Sequence, residues 1–252
     1  MNSDSAVAVA KAFRRLHSAG VWPDYEAVLA AAYGRLLLPG DVVLDVGAHG
    51  GKHTRQFAEM VGASGRVIAF EPLPHKAEEL RANFAQNGCV EIRQIALADR
   101  SGVSEFQYAI NAPEESGLRR RHQYNISEPR IEAIEVKVCT IDRQCADLSC
   151  IAYVKIDIEG GEMNCLHGAR STLDRCRPVL SVEYGWPSYH GYGVDRDELF
   201  LFAQSSGYVI VDLFGNTIGS LDSWHNVCDT AYWDYFLFPV ERAEDLAYKI
   251  SQ

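Results

Sequence analysis

The chain has 252 residues, of which 47% are hydrophobic, 23% charged and 10% aromatic. This is the composition of an ordinary globular protein, and it excludes the disordered, fibrous and disulfide-stapled classes. The 24 Lys and Arg against 34 Asp and Glu give a formal net charge of −10. Nucleic acid is therefore not an expected partner, because binding a polyanion needs an excess of basic residues.

The seven cysteines include no CxxC pair, and a chain of this length does not need disulfides, so we predict reduced thiols. The N-terminal residues lack the basic and apolar regions of a secretion signal, and no apolar run approaches the ~18 residues of a membrane span. These features predict a cytoplasmic protein with no membrane partner.

Residues 1–40 show Ala- and Leu-rich helical periodicity that is interrupted near Gly20 to Pro23, which predicts two helices, called here the N-terminal helical arm. Residues 41–252 alternate short β-branched runs with longer helical stretches, a rhythm typical of a parallel sheet flanked by helices. The predicted strands are Val42 to Val46, Arg66 to Glu71, Val90 to Ala96, Ala152 to Ile158, Val179 to Tyr184, Tyr208 to Phe214 and Tyr232 to Pro239. The predicted helices are Lys52 to Val61, Pro74 to Asn87, Met163 to Leu173 and Asp195 to Ser206.

The alternation of predicted strands and helices stops between Ser101 and Ile141. Here two segments of alternating apolar and polar residues flank a polar stretch. We interpret this region as a β-hairpin insertion. Its loop, Asn111 to Pro129, is longer than loops without function usually are in compact domains. We expect this lid segment (residues 111–129) to cover a substrate.

The first strand runs into a glycine-rich turn, Gly47-Ala48-His49-Gly50-Gly51. A dinucleotide-binding G-x-G-x-x-G turn would need glycine at two positions that are here His49 and Lys52, which weakens the case for a pyrophosphate cradle. Asp45 at the strand tip can meet a cationic group. Gly47 and Gly51 leave room for a moiety the size of an amino acid.

Glu71 ends the second strand, where a carboxylate can accept both hydroxyls of a ribose. That role serves NAD and S-adenosylmethionine equally. The absence of a phosphate cradle, together with an acid at each of two neighbouring strand ends, favours S-adenosylmethionine, because its sulfonium and ammonium groups are cationic.

Two further acids, Asp157 and Glu183, end two later strands, and ligands of open α/β sheets bind outside the carboxyl ends of the strands. A neighbouring pair of carboxylates could deprotonate a hydroxyl or hold a divalent metal. An ion pair of Asp157 with Lys155 or Arg170 is the structural alternative. His190 lies in a loop rich in aromatic residues, Trp186 to Gly193, called here the aromatic loop, and is a candidate general base.

Four motifs in order resemble the FkbM-type methyltransferases. The family's DVGAN-x-G-xx-T is matched from Asp45 to Thr54, with His49 in place of Asn. Its FEP is Phe70-Glu71-Pro72, its A-L-x-D is Ala96-Leu97-Ala98-Asp99, and its K-I-D-x-E-G-x-E is Lys155 to Glu162. The resemblance spans about Asp41 to Tyr184.

The resemblance implies the class I Rossmann-like fold, with a mostly parallel sheet whose last strand is antiparallel, and S-adenosylmethionine as cofactor. Asp45, Gly47, His49 and Gly51 would line the methionine end, Glu71 would bind the ribose, and Ala96 and Leu97 would bind the adenine. Ala48, Thr54 and Pro72 complete the expected cofactor site. Within the turn we expect His49 to face the ligand, and we expect His53, on the following helix, to lie at the surface.

The family mainly methylates hydroxyls, often of sugars or polyketide-type natural products. The expected activity is therefore O-methylation of such a small molecule, with Asp157, Glu183 and His190 as candidate catalytic residues and a divalent metal possible but not predicted. The missing second glycine of the G-x-G-x-x-G pattern argues against the alternative of a nicotinamide-dependent oxidoreductase. The acids retained at Lys155 to Glu162 and at Glu183 argue against the alternative of a non-catalytic cofactor-binding scaffold.

Overall fold

The structure, a computed structural model, describes residues 3–120 and 127–252. The arm forms two helices, α1 (Ser3–Ser18) and α2 (Tyr25–Gly34). The second begins where Asp24 caps it by accepting the backbone N–H of Ala27 at 2.9 Å. The two helices pack on opposite faces of the central sheet, α1 through Ala6 and Ala10 and α2 through Leu29 and Tyr33.

The central sheet has eight strands in the order β10-β9-β11-β8-β7-β1-β2-β3. Their bounds are β1 Val42–Val46, β2 Arg66–Phe70, β3 Val90–Arg93, β7 Tyr153–Ile156, β8 Val179–Glu183, β9 Tyr208–Val211, β10 Thr217–Ile218 and β11 Asp234–Pro239. β11 runs antiparallel to both β8 and β9, whereas β1 pairs in parallel with β2 and β7. The mostly parallel sheet with an antiparallel last strand is thus confirmed.

Helices cover both faces of this sheet. After the arm they are α3 Lys52–Val61, α4 Pro74–Asn83, α5 Ile141–Gln144, α6 Glu162–His167, α7 Arg170–Cys176, α8 Trp186–Tyr189, α9 Glu198–Ser205, α10 Leu221–Val227 and α11 Ala243–Ile250. α2, α3 and α11 share one apolar cluster, and α1, α6, α7, α9 and α10 share another. None of the helices in the described ranges has the length and apolar character of a membrane span.

The single helix predicted from Met163 to Leu173 is wrong, because two helices occupy this stretch. The first ends at His167, and Gly168 then approaches Ala98 so closely that a Cβ there would lie 2.1 Å from the Ala98 carbonyl oxygen. The Asp142 carboxylate accepts the N–H groups of Ser171 and Thr172 at 3.1 and 2.7 Å. This cap starts a new helix.

The predicted hairpin insertion is confirmed as β5 (Gly102–Ala109) and β6 (Ile131–Cys139), which pair antiparallel. A short third strand, β4 (Ala96–Leu97), pairs in parallel with β6. The strand predicted from Val90 to Ala96 is therefore divided between two sheets. Of the lid segment, the structure describes residues 111–120 and 127–129, while 121–126 lie outside the described residues.

Candidate cofactor and active site

A cavity of about 450 Å³ opens at the carboxyl ends of the central strands, within the range of small-molecule sites. Ten of the residues predicted from sequence line it. They are Gly47, Ala48, His49, Gly51, Glu71, Pro72, Ala96, Leu97, Asp157 and Glu183. The sheet order explains this convergence, because β7, β1 and β2 are neighbours and end at one edge.

Two positions of the glycine turn, 47 and 51, have room only for glycine. Gly47 has φ +87°, and a Cβ there would lie 1.9 Å from the carbonyl oxygen of Asp157. Gly51 has φ +78°, and its Cβ would lie 2.7 Å from Leu80. Gly51 also begins α3 with no side-chain cap. The turn therefore presents backbone to the cavity and leaves the N-terminus of α3 without a side-chain acceptor.

Glu71 is buried and links the two loops that border the cavity. Its carboxylate accepts the N–H groups of His49 at 2.9 Å and of Leu73 at 2.8 Å. Burial raises the pKa of Glu71 to about 7. Each carboxylate oxygen still has a second lone pair, so the group can hold both loops and accept hydroxyls from a ligand.

Asp45 and Thr54 lie beneath the cavity and do not line it. The Thr54 hydroxyl donates to the Asp45 carboxylate at 2.5 Å, and both residues are almost fully buried. The other oxygen of Asp45 has no hydrogen-bond partner in the described structure. Asp45 instead adds negative charge beside the buried Lys155. In the structure, then, the Asp45–Thr54 pair fixes the start of α3 from below.

The candidate catalytic acids Asp157 and Glu183 lie together. Lys155, only 3% exposed, donates to Asp157 at 2.6 Å. Burial alone would raise the pKa of Asp157, but Lys155 and a hydrogen bond from Glu183 hold it below its ordinary value. Burial and the charge of Asp157 raise the pKa of Glu183 well above its ordinary value. The two shifts have opposite directions, so Glu183 binds a proton more tightly than Asp157 does.

Glu159 and Glu162 have different positions. Glu159 adopts a left-handed conformation with φ +61° after the strand, and its carboxylate, with those of Asp157 and Glu183, forms a cluster whose oxygens lie within 4.8 Å of one another. Such a cluster could hold a divalent cation. Glu162 is buried and accepts the N–H groups of Ile158 and Gly160, each at 3.0 Å, so it shapes the loop.

Three histidines considered from the sequence, His49, His53 and His190, lie in different surroundings. His49 lines the cavity, and its Nε2 is buried without a partner in the described structure. Burial lowers the pKa of His49, which favours a neutral ring. His190 lies outside the cavity wall and stacks on Trp186 with ring centroids 5.1 Å apart. The expectation that His53 lies at the surface is wrong, because it is 8% exposed and lines the cavity.

Among the cavity-wall residues to which the sequence analysis gave no site role are Glu26, Lys52 and His53. Glu26 belongs to the arm, far from the glycine turn in sequence, and only packing brings it to the site. The position of His53 was within reach of the sequence, since residues 53, 54, 57 and 58 of α3 are all buried. Tyr192 comes from the aromatic loop and sits opposite the lid segment.

The residues around the cavity fit S-adenosylmethionine. Acidic side chains from three strand ends face a volume of the right size, and three buried atoms of the cavity wall, Oε2 of Glu183 and the Nε2 atoms of His49 and His53, lack partners in the described structure. A cationic ligand with an amino-acid end can supply those partners, because unsatisfied buried polar atoms are rare in finished sites.

The sequence model of the Methyltransferase FkbM domain matches residues 45–210. The 2-O-methyltransferase NoeI of Sinorhizobium fredii is 25% identical over 164 residues, which are 61% of this chain and 67% of that protein. The 31-O-demethyl-FK506 methyltransferase FkbM of Streptomyces tacrolimicus is 28% identical over 176 residues, 59% of this chain and 67% of that protein.

Among solved structures, the methyltransferase FkbM of Methylobacillus flagellatus has a TM-score of 0.49 at 15% identity. The match covers 79% of this chain but only 44% of that one, so the chain spans less than half of the solved protein. The family model covers well over half of the present chain and includes the four motifs found from sequence. The chain therefore belongs to the FkbM family of S-adenosylmethionine-dependent methyltransferases.

Proposed function

We propose that the protein transfers the methyl group of S-adenosylmethionine to a hydroxyl of a sugar or a polyketide-like natural product. One observation carries the proposal: the glycine turn and Glu71 share a single cavity with the Asp157–Glu183 pair. Two named relatives support the choice of oxygen, since one is a 2-O-methyltransferase and the other a 31-O-demethyl-FK506 methyltransferase.

The residues of the cavity divide between cofactor and acceptor. In this proposal Glu71 binds the ribose hydroxyls, Ala96 and Leu97 the adenine, and the glycine turn the methionine end. Bound S-adenosylmethionine supplies an activated methyl group on a sulfonium. Tyr192 and the described part of the lid segment border the space proposed for the acceptor.

In this proposal Asp157 takes the proton from the hydroxyl group of the methyl acceptor. It is ionised beside Lys155, and the charge of Lys155 holds it in one position. Burial and the charge of Asp157 raise the pKa of Glu183, so in this proposal Glu183 keeps a proton and Asp157 carries the negative charge. Positioning of the hydroxyl in line with the methyl group should supply most of the rate, because orientation can be worth about 7–11 kcal/mol.

Calorimetric titration with S-adenosylmethionine, S-adenosylhomocysteine and NAD tests the cofactor. We expect the first two to bind and NAD to bind negligibly, because the turn lacks a pyrophosphate cradle. Tighter binding of NAD than of S-adenosylmethionine would contradict the proposal. Transfer of a labelled methyl group to a panel of methyl glycosides and hydroxylated macrolactones then tests the acceptor, and a protein that binds the cofactor but methylates none of them would favour the scaffold alternative.

A further inference from the structure

We propose that the N-terminal helical arm completes the cofactor site, with Glu26 and His53 binding the α-ammonium group of S-adenosylmethionine and Lys52 binding its α-carboxylate. This inference rests on the proposed function. It assigns a ligand to three cavity residues that the reaction itself does not use.

The three residues lie together at one edge of the cavity. Lys52 and His53 directly follow the glycine turn in the first turn of α3, and Glu26 lies in the first turn of α2. All three line the same cavity as Glu71. A ligand whose ribose lies at Glu71 and whose chain crosses the glycine turn would reach this edge with its amino-acid end.

Glu26 is an ionised acceptor. The positive charge of Lys52 beside it lowers the pKa of Glu26. The Lys52 ammonium donates to Glu26 Oε2 at 2.5 Å. The carboxylate and the ammonium are both partly open to solvent, with side chains 50% and 59% exposed, so a ligand can approach them.

The hydrogen bonds of Tyr33 determine which nitrogen of neutral His53 carries the proton. The Tyr33 hydroxyl donates to the amide oxygen of Gln56, which can only accept. Tyr33 has a single proton to donate, so its oxygen accepts from Nδ1 of His53, at 2.9 Å. The proton of neutral His53 is then on Nδ1, and Nε2 carries a lone pair.

That lone pair has no partner in the described structure and is buried. Nε2 of His53 lies 3.6 Å from Oε2 of Glu26. Two acceptors at this separation can each receive one N–H of the same ammonium group, which has three to donate. Lys52 on the same helix and Asp157, which follows β7, also carry charges near His53.

The matching anion site is next to this pair. The N-terminus of α3, a helix of ten residues, has no side-chain cap, and helix N-termini attract carboxylates through their free N–H groups. Lys52 adds a full positive charge there. A pair of acceptors beside a cationic helix end matches a ligand with an ammonium and a carboxylate on one carbon atom.

The test compares two ligands that differ only at this end. S-adenosylhomocysteine carries the ammonium and the carboxylate, whereas 5′-methylthioadenosine has the same adenosine and thioether without them. Calorimetry on the full chain would measure both ligands against the wild type, Glu26→Gln and Glu59→Gln. Glu59 lies exposed on α3, so the last variant controls for the change in net charge.

We expect Glu26→Gln to weaken S-adenosylhomocysteine about 10- to 100-fold, the scale of one charged hydrogen bond, and to leave 5′-methylthioadenosine within about twofold. Glu59→Gln should change neither affinity. Equal losses of affinity for both ligands would overturn the inference. No loss of affinity for either ligand would also overturn it and would make Glu26 a candidate contact of the methyl acceptor instead. Failure of the wild type to bind either ligand would instead refute the proposed function.

Discussion

At the residue scale, Glu71 combines a binding role with a structural one. Its carboxylate is only 4% exposed and accepts two backbone N–H groups, those of His49 and Leu73. Glu71→Ala should weaken S-adenosylhomocysteine by about 1.5–3 kcal/mol, the usual worth of a charged hydrogen bond. It should also lower the melting temperature, because two N–H groups lose their acceptor.

Calorimetry and thermal unfolding separate these two effects. Glu79→Ala is the matched control, since Glu79 is an exposed carboxylate of the neighbouring α4 that pairs with Lys76 at 3.3 Å. It should change neither quantity. An unchanged dissociation constant in folded Glu71→Ala protein would remove Glu71 from the cofactor site.

Asp157 is the residue on which the proposed chemistry depends most. Asp157→Asn keeps the shape and removes the charge, so we expect near-normal affinity for S-adenosylhomocysteine and turnover reduced by roughly 10² to 10⁴, the usual contribution of a positioned base. The variant should also be less stable than the wild type, because the buried Lys155 loses its closest counter-charge.

A chelator distinguishes a base from a metal ligand at this position. Loss of methyl transfer in EDTA with recovery in Mg²⁺ would assign the cluster of Asp157, Glu159 and Glu183 to a cation. Indifference to EDTA would leave Asp157 as a direct base. Wild-type turnover by Asp157→Asn on a true acceptor would exclude both roles.

At the scale of elements, Tyr192 of the aromatic loop binds the described part of the lid segment. The Tyr192 hydroxyl accepts the N–H of Arg119 at 3.1 Å, and the Arg119 guanidinium donates to the carbonyl of Tyr192 at 2.9 Å. Gly160 leaves space for the ring, since a Cβ there would lie 2.5 Å from it. These contacts connect the described part of the lid segment to the aromatic loop.

Tyr192→Phe removes the acceptor and keeps the ring. We expect tryptic cleavage after Arg119 and Arg120 to become about 2- to 12-fold faster, the effect of losing one hydrogen bond of about 0.5–1.5 kcal/mol. Tyr248→Phe is the control, because Tyr248 is 67% exposed. Equal cleavage rates in wild type and Tyr192→Phe would show that this bond does not restrain the lid segment.

At the scale of the whole molecule, several buried acids make stability depend on pH. Burial raises the pKa of Glu71, Glu162 and Asp234 to about 7, from ordinary values of 4.5, 4.5 and 3.8. Between those ordinary values and about pH 7 the folded protein binds more protons than the unfolded chain. The free energy of unfolding therefore falls as pH rises through this range.

We expect the melting temperature to be several degrees higher at pH 5 than at pH 8, since each such group contributes at most about 1.4 kcal/mol per pH unit. Calorimetric melts between pH 4.5 and 8.5 measure this. Glu162→Gln should flatten the dependence, because it replaces one of these acids with a neutral amide. A free energy of unfolding that rises steadily from pH 5 to 8 would contradict the assignment.

Local pattern in the sequence determined most of the sheet. β1 and α3 have the predicted bounds, Val42–Val46 and Lys52–Val61, because a buried strand and an amphipathic helix each leave a strong signal and the glycine turn between them marks where each ends. The cofactor class followed from the resemblance of the four motifs to the FkbM-type methyltransferases. Short elements such as α5, α8 and β10 leave too few residues for a period. α11 does bury Leu246 and Ile250 at helical spacing and was within reach.

Tertiary structure alone decided how the site is built. The motif residues Asp45 and Thr54 are turned beneath the cavity, where they bond to each other, while Glu26 enters from the arm. His53 is buried because Tyr33 of α2 packs over it and bonds to it. A sequence pattern records which face of an element is apolar, but not which distant element will cover that face, and at this site the covering helix brings both the burial and the charge.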